Sequence, residues 1–340
     1  MKRIGLAVCI ESQIQLALVR SKYLFAIGLV CLSGQAAWAV ETFNLGNTTT
    51  LLTGLVTLAQ VNGDFKSQGL AVTEVPLPTG DAGLKHLEDG ALDAYLASDI
   101  TVLKHLKSSP TLRILATVGE SDNETHIVAR RDRGIASVQN LRGKRIGVQP
   151  GTAFHYFLDR LLARNGMAES DVRLAPGKLE AFPGMLARGE IDAYVTREPF
   201  LSESRERLGG NALVLSAPGL MVKRFVLVSN VTTLKRRGAA MQSLLKGLYL
   251  AERRARIDPA SAVASLSGPL DVPAKDLRAQ LAEARLSLTM DDHLLFSLEK
   301  AERWQRRLRG EPELPIPNFL MILDEHLLRE AKPAGVTLNR

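Results

Sequence analysis

The sequence predicts an α/β protein of two lobes, each built from βαβ units on a parallel-type sheet, followed by a helical C-terminal tail. Three observations support this prediction. The chain has 340 residues, more than the roughly 250–300 at which one hydrophobic core stops growing. Strand and helix patterns alternate twice along it, which is typical of parallel sheets. The segment LEDGALDAYL at 87–96 also recurs as LARGEIDAYV at 186–195, so the lobes are predicted to repeat one unit.

Both copies of the repeat predict the same local structure. The matched positions are Gly90 and Gly189, Asp93 and Asp192, and Tyr95 and Tyr194. The glycine ends a helix because it adopts the left-handed cap conformation at little cost, and the aspartate then opens a short buried strand. We interpret the aspartates as structural carboxylates and the tyrosines as core residues.

The elements before each repeat follow one order: strand, polar turn, helix, strand. They are predicted at 42–46, 47–50, 51–61 and 70–75 in the first lobe, and at 145–148, 149–152, 153–164 and 172–175 in the second. After its repeat, the first lobe continues with a helix at 99–107 and a strand at 112–118.

Two later apolar strands, at 126–131 and 222–229, are candidates for hinge crossovers between the lobes. From 233 onward the pattern is helical, and these helices are expected to pack on the first lobe. The predicted division is lobe 1 at 40–128 plus 229–340, and lobe 2 at 129–228.

The N-terminus has the pattern of an export signal. Arg20 and Lys22 precede an apolar run at 23–32, and the small residues Ala37 and Ala39 follow it. This pattern predicts a cleavable signal peptide at 1–39 and a periplasmic protein. The alternative is a membrane anchor, but the apolar run is about ten residues long, whereas a spanning helix needs roughly 20.

Cysteine content and charge exclude several functional classes. Both cysteines, Cys9 and Cys31, lie in the predicted leader, so the remaining chain has no thiol for disulfides, nucleophilic catalysis or metal binding. The net charge is +7, of which the leader supplies +3, from four basic residues and one acid. The excess that remains is modest, and basic residues interleaved with aromatics are lacking, so no nucleic-acid partner is expected.

Catalytic motifs are also missing from the sequence. It contains no G-x-S-x-G, H-E-x-x-H or G-x-x-x-x-G-K-[ST], and its six histidines are scattered without metal-ligand spacing. We therefore expect no enzyme activity, cofactor or metal site.

Ligands of open parallel sheets bind beyond the carboxyl ends of the strands, so two facing lobes would form a cleft. The strand-end loops supply the candidate ligand residues, which are Thr48, Thr49, Thr50, Thr79, Gly80, Ala97, Ser98, Gly151, Thr152, Ala153 and Glu198. At 151–153, the glycine allows close backbone approach and the helix-opening amides can hold an anion. Alternatively, Thr152 is a plain helix cap. Glu198 either accepts a hydrogen bond from a ligand or faces solvent.

Several of these motifs resemble the second lobe of the nitrate/sulfonate/taurine-type periplasmic binding proteins of ABC importers. They are LRGKRIGV at 141–148, GT at 151–152, LARGEIDA at 186–193 and EP at 198–199. The segments GDFKSQGL at 63–70 and GALDA at 90–94 are similar to the first lobe of that family. The resemblance covers about 42–229 and includes the thiamine-pyrimidine-synthase-like branch.

This resemblance implies a type II periplasmic binding protein-like fold with hinge-linked lobes and ligand loops at 48–50, 79–80, 97–98, 151–152 and Glu198. It implies a small organic or anionic ligand, such as a sulfonate, taurine, nitrate or a heterocycle, and an ABC permease in the inner membrane as partner. We expect a monomer. The cleft lacks an evident arginine unless Arg197 turns inward.

Two other functions remain open. An exported ligand sensor that signals to a membrane receptor would use the same hinge. An enzyme on the same fold, such as a pyrimidine synthase or a menaquinone-pathway dehydratase, is disfavoured by the leader and, for the synthase, by the missing cysteine motif.

Overall fold

The structure is a computed structural model that describes residues 40–78, 80–106 and 108–339. The predicted leader at 1–39 and the candidate ligand residue Thr79 lie outside the described residues. The strands are β1 (Glu41–Asn47), β2 (Leu70–Pro76), β3 (Ala94–Ser98), β4 (Leu112–Ser121), β5 (His126–Arg130), β6 (Arg145–Val148), β7 (Arg173–Pro176), β8 (Ala193–Thr196), β9 (Ala212–Ser216), β10 (Lys223–Asn230), β11 (Ala284–Arg285), β12 (Met290–Asp291) and β13 (Val336–Thr337). The α-helices are α1 (Gly54–Val61), α2 (Asp64–Ser67), α3 (Gly80–Glu88), α4 (Asp99–His105), α5 (Ala153–Arg164), α6 (Phe182–Arg188), α7 (Phe200–Leu208), α8 (Val231–Ile257), α9 (Pro259–Leu270), α10 (Ala274–Ala282), α11 (Asp292–Leu308) and α12 (His326–Ala331).

The strands form two large sheets. The first has the order β11-β4-β10-β3-β1-β2, and the second has the order β7-β6-β8-β5-β9. In the first sheet, β1 pairs in parallel with β2 and β3, and in the second, β6 pairs in parallel with β7 and β8. Each sheet therefore contains the parallel βαβ core that the repeat predicts.

The crossover strands run against these parallel cores, so each sheet is mixed rather than purely parallel. β10 is antiparallel to both β3 and β4, and β5 is antiparallel to both β8 and β9. Near its start, β10 pairs Phe225 with Ser98 at the end of β3, and β5 pairs its first residue, His126, with Thr196 at the end of β8. A strand that arrives from the other lobe enters its sheet at the carboxyl ends of the parallel strands, and it must therefore run the opposite way.

Each sheet has a hydrophobic core of its own. The core of the first sheet contains buried residues from both ends of the described chain, including Phe43, Leu96 and Leu248. The buried residues of the second core all lie between Ile127 and Ala217. The chain enters the second sheet with β5 and returns to the first with β10, somewhat before the predicted lobe boundaries at 128/129 and 228/229. The exact bounds of the two lobes therefore stay a prediction.

The repeated aspartates are structural carboxylates, as the sequence predicts. Asp93 accepts a hydrogen bond from the backbone amide of Asn44 at 2.9 Å, and Asp192 accepts one from the backbone amide of Arg145 at 2.8 Å. Each carboxylate thus ties the start of one strand to the neighbouring parallel strand. Gly90 and Gly189 have φ values of 72° and 70°, the left-handed conformation that glycine adopts with little strain.

The repeated tyrosines are core residues. Tyr95 and Tyr194 are both 0% exposed. The ring of Tyr95 packs so closely under α3 that a Cβ added at Gly83 would lie 2.3 Å from the ring carbon Cδ2. Glycine at this position is therefore what lets the helix approach the sheet.

The first helix of the chain begins later than the pattern predicts. A capping box explains the difference, because the Thr50 amide donates to Thr53 Oγ1 at 3.1 Å and the Leu52 amide donates to Thr50 Oγ1 at 3.2 Å. These bonds hold a 3-10 turn at Leu51–Thr53, and α1 follows from Gly54.

The C-terminal helices pack on the first lobe. α8 packs against α1, α2 and α12, and α11 packs against α4. Trp304 of α11 also meets the second lobe, since its ring centroid lies 5.3 Å from that of His155 and 5.0 Å from that of Tyr156 on α5. Among the described residues, no helix combines the length and apolar character needed to cross a membrane.

Candidate functional site

Two cavities lie where the strand-end loops of the two lobes face each other. The first cavity, of about 220 Å³, has Thr49 and Leu270 on one side and His126 on the other. The second cavity, of about 240 Å³, has Ser98 on one side and Thr152 on the other. Both cavities are lined by residues of both lobes, as expected for a cleft beyond the carboxyl ends of parallel strands.

Most of the sequence-predicted ligand residues that the structure describes line one of these cavities. Thr48, Gly80, Ser98, Thr152 and Ala153 line the second cavity, whereas Thr49, Thr50 and Glu198 line the first. Ala97 and Gly151 are not among the lining residues of either cavity. Ala97 is fully buried against Gly80, where an added Cβ would lie 2.7 Å from the Ala97 Cβ.

The turn before α5 is built differently from the predicted anion cradle. Gly151 has the expected positive φ of 69°, but its amide donates to Nδ1 of His155 at 3.1 Å. Since Nδ1 is the acceptor, the imidazole proton lies on Nε2, which donates to Glu169 at 2.9 Å. The amides of Ala153 and Phe154 open the helix without intrahelical acceptors and remain the donors at this end of the second cavity.

Four residues with hydroxyl groups also line the second cavity, namely Thr48, Ser98, Thr101 and Thr152. The Thr152 hydroxyl donates to the carbonyl of Gln149 at 2.8 Å, and Ser98 Oγ caps α4 by accepting from the Thr101 amide at 3.2 Å. The hydroxyl of Thr48 is buried and has no hydrogen-bond partner among the described residues. An unpaired buried hydroxyl is unfavourable, so a ligand atom or a water molecule beside Thr48 would stabilise this wall.

A cluster of three charged residues, Glu124, Arg197 and Lys223, separates the two cavities. Lys223 Nζ donates to Glu124 Oε2 at 2.6 Å, and Arg197 Nε lies 3.9 Å from Glu124 Oε1. Arg197 lines both cavities, Glu124 the first and Lys223 the second. With a side chain only 12% exposed, Arg197 turns inward, which the sequence left open.

Burial lowers the pKa of both cations. Desolvation is the largest effect on Lys223 and on Arg197, and the negative charge of Glu124 opposes it in each case. Aromatic rings complete the surroundings, with Lys223 Nζ 4.5 Å from the ring centroid of Phe154 and the Arg197 guanidinium carbon 5.9 Å from that of Phe200. Both cations are therefore largely desolvated, and a further anion beside them would be strongly attracted.

Sequence reasoning missed Glu124 and Lys223 as site residues. Glu124 lies in the crossover between β4 and β5, and Lys223 is the first residue of β10. The available signal was the pair Lys223-Arg224 at the start of an otherwise apolar strand predicted to cross between lobes. Charges at such a position must find partners when the strand is buried.

Two more carboxylates of the cavity walls are committed to local contacts. Glu198 Oε2 accepts from the Ser202 amide at 3.0 Å, which ties it to α7. Asp81 lies 3.0 Å from Lys104 Nζ and 2.9 Å from His105 Nε2. Although burial alone would raise the pKa of Asp81, the hydrogen bonds from His105 and Lys104 hold it below its ordinary value.

Comparison with known proteins identifies the fold and the family. The family model described as NMT1/THI5 like matches residues 52–262. A protein of Escherichia coli (strain K12) assigned to aliphatic sulfonate binding is 22% identical over 213 residues, and the match covers 62% of this chain and 66% of that protein, just under two thirds of its length. The alkanesulfonate-binding protein SsuA from Xanthomonas axonopodis pv. citri, solved bound to MOPS, has a TM-score of 0.69 at 19% identity and covers 88% of this chain and 98% of that one. The periplasmic nitrate-binding protein NrtA from Synechocystis PCC 6803 has a TM-score of 0.67 at 16% identity, covering 87% of this chain and 89% of that one.

The two solved structures share the two-lobed architecture, which confirms the predicted periplasmic binding protein fold. All three relatives carry the name of a binding protein. Since the matched segment spans more than half of the sequence, the chain belongs to the NMT1/THI5-like family.

Proposed function

We propose that this chain is an exported solute-binding protein that holds a small organic anion between its lobes and delivers it to an ABC importer of the inner membrane. The observation that carries the proposal is the cleft itself, in which the buried cations Arg197 and Lys223 lie between two cavities lined by both lobes. The names of the sulfonate-binding relatives point to an organic anion, and that of the nitrate-binding relative to a small anion.

The residues proposed to hold the ligand are those that line the second cavity. Arg197 and Lys223 would attract the anionic group, while Ser98, Thr152 and the unpaired hydroxyl of Thr48 would orient it by hydrogen bonds. Ala153 and Phe154 would add backbone amides from the start of α5. Gly80 would contribute backbone at the opposite wall, and Thr49, Thr50 and Glu198 would border the adjoining first cavity.

The proposed cellular setting follows from the sequence. A leader at 1–39 would direct the chain to the periplasm and be removed there, and the remaining chain would act as a monomer with lobes at 40–128 plus 229–340 and at 129–228. Ligand that contacts both lobes would shift the balance between open and closed arrangements by its differential affinity for them.

The direct test is to identify what the protein retains. The chain, expressed with its leader, is purified from the periplasm without denaturant and analysed by native mass spectrometry, and candidate anions are then ranked by thermal shift. We expect a bound organic anion and stabilisation by alkanesulfonates or carboxylates. A protein that carries no ligand, and that no alkanesulfonate, carboxylate or nitrate stabilises, would contradict the proposal.

A further inference from the structure

Glu124 is a buried carboxylate that stands against the two cations of the cleft. Its side chain is 9% exposed, and it bonds Lys223 Nζ at 2.6 Å while facing Arg197 Nε at 3.9 Å. It lies in the crossover between the lobes, three residues after the carboxyl end of β4. Its position thus places a negative charge in the region where an anionic ligand would be drawn.

Within the cluster of Glu124, Arg197 and Lys223, the charges do not cancel. Arg197 and Lys223 carry two positive charges and Glu124 carries one negative charge, which leaves one positive charge uncompensated. Asp81 is neutralised locally by Lys104 and His105. Glu198 accepts a hydrogen bond from the Ser202 amide, and its negative charge, which also acts on Arg197, adds to that of Glu124. The other charged lining residues, Glu180, Arg205, Asp276 and Glu283, are exposed at the mouths of the cavities, where solvent and salt screen them.

Resting on the proposed solute-binding function, we infer that Glu124 is a specificity-determining residue that selects a monovalent anion over a divalent one. A ligand with one negative charge neutralises the cluster of Glu124, Arg197 and Lys223. A ligand with two would leave an unpaired negative charge in a desolvated site and would be repelled by the Glu124 carboxylate.

The pKa shifts of the two cations agree with a site that favours a nearby anion. Burial lowers the pKa of Lys223 and of Arg197 even though Glu124 acts in the opposite direction. The nearby carboxylates therefore offset the burial of the two cations only in part, and an anionic ligand beside the cations would offset it further. The effect of Glu124 on a ligand scales with the ligand's charge, so a dianion is penalised about twice as strongly as a monoanion.

The test uses two series of probes that match in shape and differ by one charge. Straight-chain alkanesulfonates are monovalent, and alkylphosphonates of the same chain length are divalent at a pH above their second ionisation. Calorimetric titration of the wild-type protein should give sulfonate affinities at least about tenfold higher than those of the matched phosphonates. In Glu124→Gln, this preference should fall by about tenfold.

Glu120→Gln is the matched control. Glu120 lies on β4 and pairs with Arg224, the neighbour of Lys223, at 3.0 Å. The Glu120→Gln variant loses a comparable ion pair, but residue 120 lines neither cavity. The preference of this variant for sulfonates over phosphonates should therefore equal that of the wild type.

Two results would overturn the inference while leaving the proposed function intact: equal wild-type affinities for the two series, or an unchanged preference in Glu124→Gln. If Glu124→Gln does not fold, the ratio of wild-type affinities for sulfonates and phosphonates remains as the test of the inference. A wild-type protein that binds neither series overturns the inference, whereas the proposed function fails only if carboxylates and nitrate do not bind either.

Discussion

Replacement of Arg197 by glutamine should weaken anion binding strongly while leaving the fold intact. The substitution removes a positive charge that lines both cavities and whose side chain is 12% exposed. A hydrogen bond between a charged donor and its partner contributes roughly 1.5–3 kcal/mol. We therefore expect Arg197→Gln to bind the best alkanesulfonate roughly 10- to 150-fold more weakly than the wild type.

The same substitution should lower stability only moderately. Glu124 keeps its 2.6 Å bond to Lys223 when Arg197 is lost, because Arg197 Nε lies 3.9 Å away. The contacts that disappear are the hydrogen bond from Arg197 Nη1 to the carbonyl of Glu198, the ion pair with Glu124 and the ring contact with Phe200, so the free energy of unfolding should fall by about 1.5–3 kcal/mol.

Calorimetric titration measures the affinity, and urea unfolding measures the stability. Arg207→Gln is the control, since Arg207 is an exposed arginine of the second lobe paired with Glu203 at 2.8 Å, outside both cavities. Its affinity should match that of the wild type. Wild-type affinity in Arg197→Gln would refute the assignment of Arg197 to the ligand.

The remaining predictions concern acid stability, core packing and fluorescence. Because the folded-state pKa of Asp81 is depressed, its contribution to stability is present above the ordinary carboxyl pKa of about 4 and is lost as the pH falls through the lowered value. Asp81→Asn should therefore lose about 1 kcal/mol or less of unfolding free energy at neutral pH, and its stability measured by urea unfolding should fall less steeply towards acid pH. An acid dependence equal to that of the wild type would contradict this. Gly83→Ala should lower the free energy of unfolding by about 1–3 kcal/mol or more, because the added methyl group overpacks against the sheet. The control Gly268→Ala, at a helical position with open space around it, should be neutral or stabilising. Equal unfolding midpoints for the two variants would exclude the packing explanation. If ligand binding moves the lobes, the fluorescence emission of Trp304, which contacts both lobes, should change as ligand is added. Trp304→Phe should abolish this change. Constant emission in a sample that calorimetry shows to be saturated would count against lobe movement at this contact.

The elements that the sequence predicted best are those whose patterns are local. The strand at Arg145–Val148 and the helix at Ala153–Arg164 begin and end where the apolar pattern and the turn residues place them. The repeated Gly-x-x-Asp motif gave the duplicated parallel core, because a left-handed glycine and a strand-opening aspartate have the same consequence in both lobes. These features depend on residues close in sequence.

The features that sequence reasoning missed depend on the path of the chain between lobes. Nothing local to β5 or β10 indicates that these strands enter their sheets antiparallel to the parallel core. The pairing of Glu124 with Lys223 joins two crossovers that are far apart in sequence, so neither residue stood out. The Gly151 turn was located correctly, but its amide bonds His155, four residues further on, and is not free for a ligand.

The most direct test of the account is a crystal structure of the protein with the alkanesulfonate that binds it most tightly. We predict the sulfonate group in the second cavity, within hydrogen-bonding distance of Arg197 or Lys223 and of the amides that open α5, with the alkyl chain directed along the cleft. A sulfonate bound elsewhere on the surface, with the space between the lobes unoccupied, would contradict the account.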